Sequence, residues 1–130
     1  MLETERPPAQ LRGGTNRIDR MFLHALDAWV RDPAVLTDRV RLRELLHAGA
    51  AAGGATVVGE EFSVFPNGGV TGVLVLAQSH LSIHTWPEYA LANVDLLSYG
   101  DVCGEDVLGV ICEGLDVVRA ETTRISRAIG

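Results

Sequence analysis

Reactive side chains are concentrated between Ser79 and Tyr89, where the sequence reads Ser-His-Leu-Ser-Ile-His-Thr-Trp-Pro-Glu-Tyr. Hydroxyl, imidazole, indole and carboxylate groups follow one another here, a density that a strand in a small core does not need. An apolar run, Val70 to Ala77, leads into this stretch and predicts a buried strand that delivers it to one end of a sheet. We therefore expect chemistry at that end.

Two common kinds of site fit this stretch poorly. A serine beside histidines first suggests a hydrolase, but the Gly-x-Ser-x-Gly elbow that presents many nucleophilic serines is absent. His80, His84 and Glu88 have the spacing of a helical metal site, yet Pro87 and the β-branched side chains between the histidines oppose a helix. The stretch matches no metal-ligand motif, so no metal is expected.

Strands and turns predict how the stretch is positioned. On a strand, the side chains of His80, Ser82, His84 and Trp86 share one face because side chains alternate. The Pro-Asn-Gly-Gly sequence at 66–69 predicts a hairpin turn. The predicted strands are Ala55 to Phe65, Val70 to Ala77, Leu81 to Trp86, Leu91 to Ser98 and Thr122 to Ile125.

Two helices are predicted from apolar spacing. The first presents Leu42, Leu45, Leu46 and Ala50 on one side and ends at Gly53-Gly54, since glycine accepts the left-handed cap. The second runs from about Glu105 to Arg119. Ile18 to Val30 fits either a helical stripe or a buried strand, and periodicity alone leaves both open.

These elements predict an α+β fold, a two-layer sandwich of an antiparallel sheet with two helices on one face. Residues 17–130 would form the single domain, behind a flexible N-terminal arm at 1–16. The other sheet face must also be covered, and a symmetric homodimer, sheet against sheet, is the simplest way to cover it.

Composition excludes several classes of partner. The chain has 130 residues, 47% of them hydrophobic, and a formal net charge of −6. It lacks the excess of basic residues that binds nucleic acid, an apolar stretch long enough to cross a bilayer, and a signal-peptide pattern. We therefore expect a cytoplasmic protein that binds neither nucleic acid nor membrane. Cys103 and Cys112 have no zinc-site spacing and are expected to be reduced thiols.

The stretch from Ser79 to Tyr89 resembles the signature of the bacterial and archaeal S-adenosylmethionine decarboxylases, pyruvoyl-dependent enzymes of spermidine synthesis. The resemblance extends upstream through Gly69-Val70-Thr71-Gly72 and downstream through Val94-Asp95-Leu96 to Gly100. It covers residues from about 20 to 126 and is sharpest between Phe65 and Gly100.

The resemblance implies self-cleavage between Gln78 and Ser79. The Ser79 hydroxyl would attack the Gln78 carbonyl, and elimination and hydrolysis would leave a pyruvoyl group at the new N-terminus. That group supplies the electrophilic carbonyl that ordinary side chains lack, and it would bind the substrate amine as a Schiff base. The implied protein is thus a zymogen that becomes a homodimer of two-chain protomers, with active sites at or near the dimer interface.

The resemblance implies roles for the individual residues that match the family's motifs. His84 matches the histidine that acts as acid or base in processing, and imidazole suits that task. Thr71 matches a hydroxyl residue implicated in processing. Glu88 matches a signature carboxylate that engages substrate or partner subunit, while Trp86 and Phe65 offer aromatic faces to an adenine or a sulfonium, or else pack in the core or interface.

The chain departs from the family pattern at two positions. Gln78 stands where a glutamate is typical, although only its carbonyl is required. Tyr99 stands where the family has the cysteine that protonates the α-carbon, and a phenol with a reference pKa of about 10 is a weaker acid than a thiol at about 8.5. Cys103, on the following loop, is another candidate for the missing thiol, although it does not align with the family's cysteine.

The change at Tyr99 leaves two alternatives to an S-adenosylmethionine substrate. One is a pyruvoyl-dependent decarboxylase of a basic amino acid, arginine or ornithine, whose cationic tail needs a carboxylate or polar pocket instead of an aromatic slot. The other is an uncleaved homologue that acts as a regulatory subunit. The presence of Ser79, His84 and Glu88 argues against the second alternative.

Overall fold

A computed structural model describes residues 20–128, so the predicted arm at 1–16 lies outside the described part. Six strands and two helices follow one another along these residues. The strands are β1 (Met21–Val30), β2 (Val57–Val64), β3 (Val70–Leu76), β4 (Ser79–Trp86), β5 (Leu91–Tyr99) and β6 (Val117–Ser126), and the helices are α1 (Arg39–Ala52) and α2 (Gly104–Leu115). Short 3-10 turns lie at Pro33–Thr37 and Pro87–Tyr89.

The strands form one antiparallel sheet in the order β2-β3-β4-β5-β1-β6. The hairpins β2-β3-β4-β5 are consecutive in sequence, whereas β1 inserts between β5 and β6. Of the stretch that periodicity left open, the part Met21–Val30 forms the strand β1, because its backbone pairs with β5 on one side and β6 on the other.

Both helices cover one face of the sheet, which confirms the predicted two-layer α+β sandwich. The core between the layers is built from alternating strand residues, including Leu26, Leu74, Leu81, Ile83 and Leu96, none more than 1% exposed. Gly49, which weakens α1 by propensity, lies where α1 meets α2. A Cβ at Gly49 would stand 3.0 Å from the Val107 carbonyl oxygen, so its small size permits the close approach.

Three elements have bounds that differ clearly from the prediction. Helix α2 ends at Leu115 instead of near Arg119, because Asp116 adopts a left-handed φ of 55° and its N–H caps the helix. The chain then turns directly into β6, which is longer than the predicted strand at Thr122 to Ile125. Strand β4 begins at Ser79, two residues earlier than predicted, so the reactive serine lies within the sheet.

The second face of the sheet, which we term the open face, carries His80, Ser82, His84 and Trp86 of β4. No element within residues 20–128 covers it. Large apolar side chains remain accessible there: Val75 is 48% exposed and Trp86 is 42% exposed. This is the face that the predicted homodimer would bury.

Candidate functional site

Ser79 lies immediately after a sharp turn between β3 and β4. The turn consists of Ala77 and Gln78, both exposed, and Ser79 pairs with Leu76 across it. Gln78 has a φ of 65°, a left-handed conformation that costs a non-glycine residue on the order of 1–3 kcal/mol. The Ser79 hydroxyl donates to the Leu97 carbonyl of β5. The Gln78–Ser79 bond is therefore held in an accessible, strained turn.

Thr71 and His84 form a polar pair on the open face. They are direct cross-strand neighbours on β3 and β4, and the Thr71 hydroxyl lies 3.2 Å from His84 Nδ1. A hydroxyl in this position can fix the ring orientation and leave Nε2 directed elsewhere. The structure thus brings together two of the four predicted catalytic residues.

The predicted catalytic residues nevertheless fall into two separated groups. Ser79 and His84 stand at opposite ends of β4, five residues apart, which corresponds to about 16 Å along an extended strand. Their side chains also lie on different faces of the sheet. Side chains alternate along a strand, so Ser79 shares the helix side with buried Leu81 and Ile83, whereas His84 lies on the open face. Within one chain, His84 cannot reach the Ser79 hydroxyl.

Tyr99 lies at the Ser79 end of the sheet, as the last residue of β5. It pairs with Met21 of β1, is partly buried, and by alternation faces the open side. Its neighbour Ser98 faces the helices and is 4% exposed. Tyr99 therefore lies at the same end of the sheet as Ser79, although the two side chains are on opposite faces of the sheet.

Three candidate substrate-binding residues cluster at the His84 end. Phe65 is 50% exposed beside the 66–69 turn, and Trp86 ends β4. Asn67 in that turn donates to a Glu88 carboxylate oxygen at 3.2 Å, which joins the turn to the 3-10 segment after β4. Two accessible aromatic side chains and one carboxylate thus lie at the same end of the sheet.

Sequence reasoning missed a hydrogen-bonded chain that holds Trp86. The indole Nε1 donates to Asn93 Oδ1 at 2.7 Å, and Asn93 Nδ2 donates to Asp27 Oδ1 at 2.8 Å. Asn93 is also the cross-strand neighbour of His84. The only sequence signal is an amide and a carboxylate placed in otherwise apolar strands.

A cavity of about 320 Å³ lies at the Ser79 end on the helix side, bordered by Phe22, His24, Ser98, Cys103, Glu105 and Arg124. His24 is 6% exposed, and its Nε2 lies 3.0 Å from the Ser98 hydroxyl. Burial lowers the pKa of His24, an effect that Glu105 opposes and Arg124 reinforces. Cys103, the distant replacement considered for the missing thiol, borders this cavity and not the open face.

Two further findings concern metals and membranes. Among residues 20–128, no group of three or more His, Cys, Asp or Glu side chains is arranged to hold a metal ion. In the same part of the chain, neither helix is long and apolar enough to cross a membrane.

Comparisons with known proteins identify a family. A sequence model described as S-adenosylmethionine decarboxylase matches residues 23–128. An S-adenosylmethionine decarboxylase proenzyme of Methanococcus vannielii is 37% identical over 105 residues, 80% of this chain and 86% of that protein. One of Symbiobacterium thermophilum is 54% identical over 65 residues, 50% of this chain and 49% of that protein.

A solved structure supports the same assignment. The crystal structure of the adenosylmethionine decarboxylase from Aquifex aeolicus matches with a TM-score of 0.76 and 30% sequence identity, over 86% of this chain and 93% of that one. Coverage of the curated relatives is uneven, since the matches span 49%, 56% and 53% of the lengths of three of them. The chain thus spans about half the length of several relatives.

Proposed function

Because the chain belongs to the S-adenosylmethionine decarboxylase family, we propose that it is a self-cleaving, pyruvoyl-dependent decarboxylase of S-adenosylmethionine that serves spermidine synthesis. The observation that carries this proposal is the placement of Ser79. It is the signature serine, and it follows an exposed turn in which Gln78 has a φ of 65°.

Self-cleavage would start with the Ser79 hydroxyl and the Gln78 carbonyl. The oxygen attacks the carbonyl carbon, and the peptide becomes an ester when the C–N bond breaks. Breaking that bond releases the left-handed conformation of Gln78, which favours the reaction by about 1–3 kcal/mol. The attack uses only the main-chain carbonyl of Gln78, so its amide side chain does not prevent cleavage.

The residues around position 79 suit a pyruvoyl group. Such a group, once formed there, supplies an electrophilic carbonyl that withdraws electrons from the bond to the departing carbon dioxide. Residue 79 would hold it at the start of β4, beside the Leu97 carbonyl and the Ser98-Tyr99 end of β5. The neighbouring strands fix the position of the group because it stays attached to the sheet backbone.

A second copy of the chain would complete the site. His84 is about 16 Å along β4 from Ser79 and lies on the open face, so it must act on another chain. A two-fold axis that runs across the strands, near the middle of β4, would place each His84 over the partner's opposite strand end. The same packing would bury Val75 and Trp86, which are largely exposed in one chain.

Substrate recognition is assigned to the His84 end of each chain. Trp86, held by Asn93 and Asp27, and the exposed Phe65 would contact the adenine or the sulfonium. Glu88, positioned by Asn67, would accept hydrogen bonds from substrate hydroxyl or amine groups. These roles use the aromatic slot that distinguishes a nucleoside substrate from a basic amino acid.

The alternative substrates receive no support from the relatives described above. Each of those proteins carries the S-adenosylmethionine decarboxylase name, and none is named for arginine or ornithine. The regulatory alternative requires an uncleaved chain, which the following experiment examines directly.

Intact mass under denaturing conditions is the test of self-cleavage. We expect two chains, residues 1–78 and 79–130, with the second lacking an ordinary N-terminal serine. Carbon dioxide release from labelled S-adenosylmethionine should then exceed release from arginine and ornithine. A single chain of 14.0 kDa after prolonged incubation would contradict the proposal and favour the regulatory alternative.

Tyr99 is assigned the return of a proton after carbon dioxide leaves. Replacing it with phenylalanine keeps the ring and removes the phenolic proton. We expect Tyr99→Phe to cleave like the wild type but to turn over about 100-fold more slowly, the usual loss for one general acid. Tyr89→Phe, at a residue that is 67% exposed, is the matched control. Unchanged turnover in Tyr99→Phe would show that another group supplies the proton.

A further inference from the structure

The buried pair His24 and Ser98 has no part in the reaction described so far. The two side chains come from β1 and β5, are 6% and 4% exposed, and approach to 3.0 Å on the helix side of the sheet. An apolar pair would fill this part of the core without the cost of burying polar groups. Their presence at the Ser79 end therefore calls for a functional explanation.

The sheet register brings this pair to Ser79. His80 is paired with Leu97, so continuing the register by one residue sets Ser98 directly opposite Ser79. Opposed residues on one face have Cβ atoms about 4.5–5.5 Å apart. Ser79 is two residues from buried Leu81 on the same strand, so its side chain lies on the helix side of the sheet, as do those of Ser98 and His24.

The His24 ring is closely fitted and still has access to solvent. A Cβ at Gly104, the first residue of α2, would lie only 2.4 Å from ring atoms of His24, so the helix start leaves room for an imidazole. The ring also borders the cavity of about 320 Å³, through which it can exchange protons with water.

We propose that His24, acting through the Ser98 hydroxyl, accepts the Ser79 hydroxyl proton while Ser79 attacks the Gln78 carbonyl. The inference rests on the self-cleavage proposed above and gives its first step a base from the same chain. It makes His24 a positioning and relay residue, since Ser98, which the continued register sets opposite Ser79, stands between Ser79 and the ring. The Ser79 hydroxyl must leave the Leu97 carbonyl to pass its proton to Ser98.

The Ser79 O–H bond breaks as Oγ bonds to the Gln78 carbonyl carbon, and the proton passes to Ser98 Oγ. The proton of Ser98 passes to Nε2 of the neutral His24 ring. When the Gln78–Ser79 C–N bond breaks, its electron pair stays on nitrogen, which takes up the proton from His24 as the amine forms.

The two histidines then serve different steps. The Ser79 hydroxyl is on the side of His24, whereas the open face, where His84 of a second copy would lie, is on the other side of the backbone. His84 is therefore available for the Cα proton in the later elimination. A chain without His24 should accumulate as the amide precursor, and a chain without His84 should accumulate as the ester.

The electrostatic setting favours a neutral His24. Burial and Arg124 of β6 lower its pKa, and Glu105 of α2 opposes them. Cys103 on the loop before α2 and Arg20 before β1 line the same cavity. Cleavage should therefore slow as pH falls through the lowered pKa of His24, because the protonated ring cannot accept a proton.

The test measures cleavage in cell-free synthesis of the full chain, quenched at intervals and read by intact mass. We expect His24→Gln and Ser98→Ala to slow cleavage by about 100-fold, and Ser98→Thr to retain it. His47→Gln is the matched control, because His47 is on α1 and bonds Glu60 instead. The fall in rate at low pH should disappear in His24→Gln.

Hydroxylamine at neutral pH distinguishes the two histidines because under these conditions it cuts esters and spares amides, including the Asn67-Gly68 bond that it cuts in alkali. Uncleaved His24→Gln should resist it, and uncleaved His84→Ala should be cut at Ser79. Wild-type cleavage with an unaltered rate and pH profile in His24→Gln would overturn this inference alone. Cleavage of the His24→Gln precursor by hydroxylamine would overturn the inference as well. Failure of the wild type to cleave would instead contradict the proposed function itself. Should His24→Gln fold poorly, equal cleavage in Ser98→Ala and Ser98→Thr would overturn the relay.

Discussion

Ser79→Ala is expected to abolish chain cleavage and all decarboxylase activity, leaving one chain close to 14.0 kDa. The hydroxyl is the only group at position 79 that can attack the Gln78 carbonyl, and alanine cannot be converted to a pyruvoyl group. Folding should survive, since Ser79 is only partly buried and, within residues 20–128, its side chain makes one hydrogen bond, to Leu97. Intact mass and carbon dioxide release measure both effects.

The control for this variant is Ser126→Ala, an exposed serine at the end of β6. It should cleave and turn over like the wild type. Decarboxylation of any α-amino acid by Ser79→Ala would remove the basis for a pyruvoyl mechanism. A melting temperature far below that of Ser126→Ala would mean that folding, and not chemistry, had been lost.

Mixing two inactive chains is expected to restore cleavage. Neither Ser79→Ala nor His84→Ala should cleave alone, because each dimer site needs Ser79 from one copy and His84 from the other. If copies assort freely on co-expression, about half of the dimers are mixed, and each mixed dimer has one complete site. About half of the His84→Ala chains should then be cut, which intact mass can read directly.

The control places both substitutions in one chain and co-expresses it with His84→Ala. No complete site can form in that mixture, so no chain should be cut. Normal cleavage of His84→Ala alone would show that His84 has no role in processing. If the original mixture fails although mixed dimers form, His84 must act within its own chain, contrary to the separation of about 16 Å along β4.

Local features of this protein can be predicted from the sequence alone. The Pro-Asn-Gly-Gly turn, the glycine end of α1 and the alternation of β4 depend on residues close in the chain, and local patterns predict each of them. The signature from Ser79 to Tyr89 identified the family for the same reason, because the residues that define it are contiguous. The two-layer α+β class followed from the order of the elements.

Which of these residues can act together depends on the three-dimensional arrangement of the strands. It made 21–30 a strand, since pairing with β5 and β6 resolves what periodicity left open. It separated Ser79 from His84, joined Asp27 through Asn93 to Trp86, and brought His24 to Ser98 across 74 positions of sequence. These relations depend on strand order, register and side-chain parity, which are set by the pairing of distant segments and leave no local pattern in the chain.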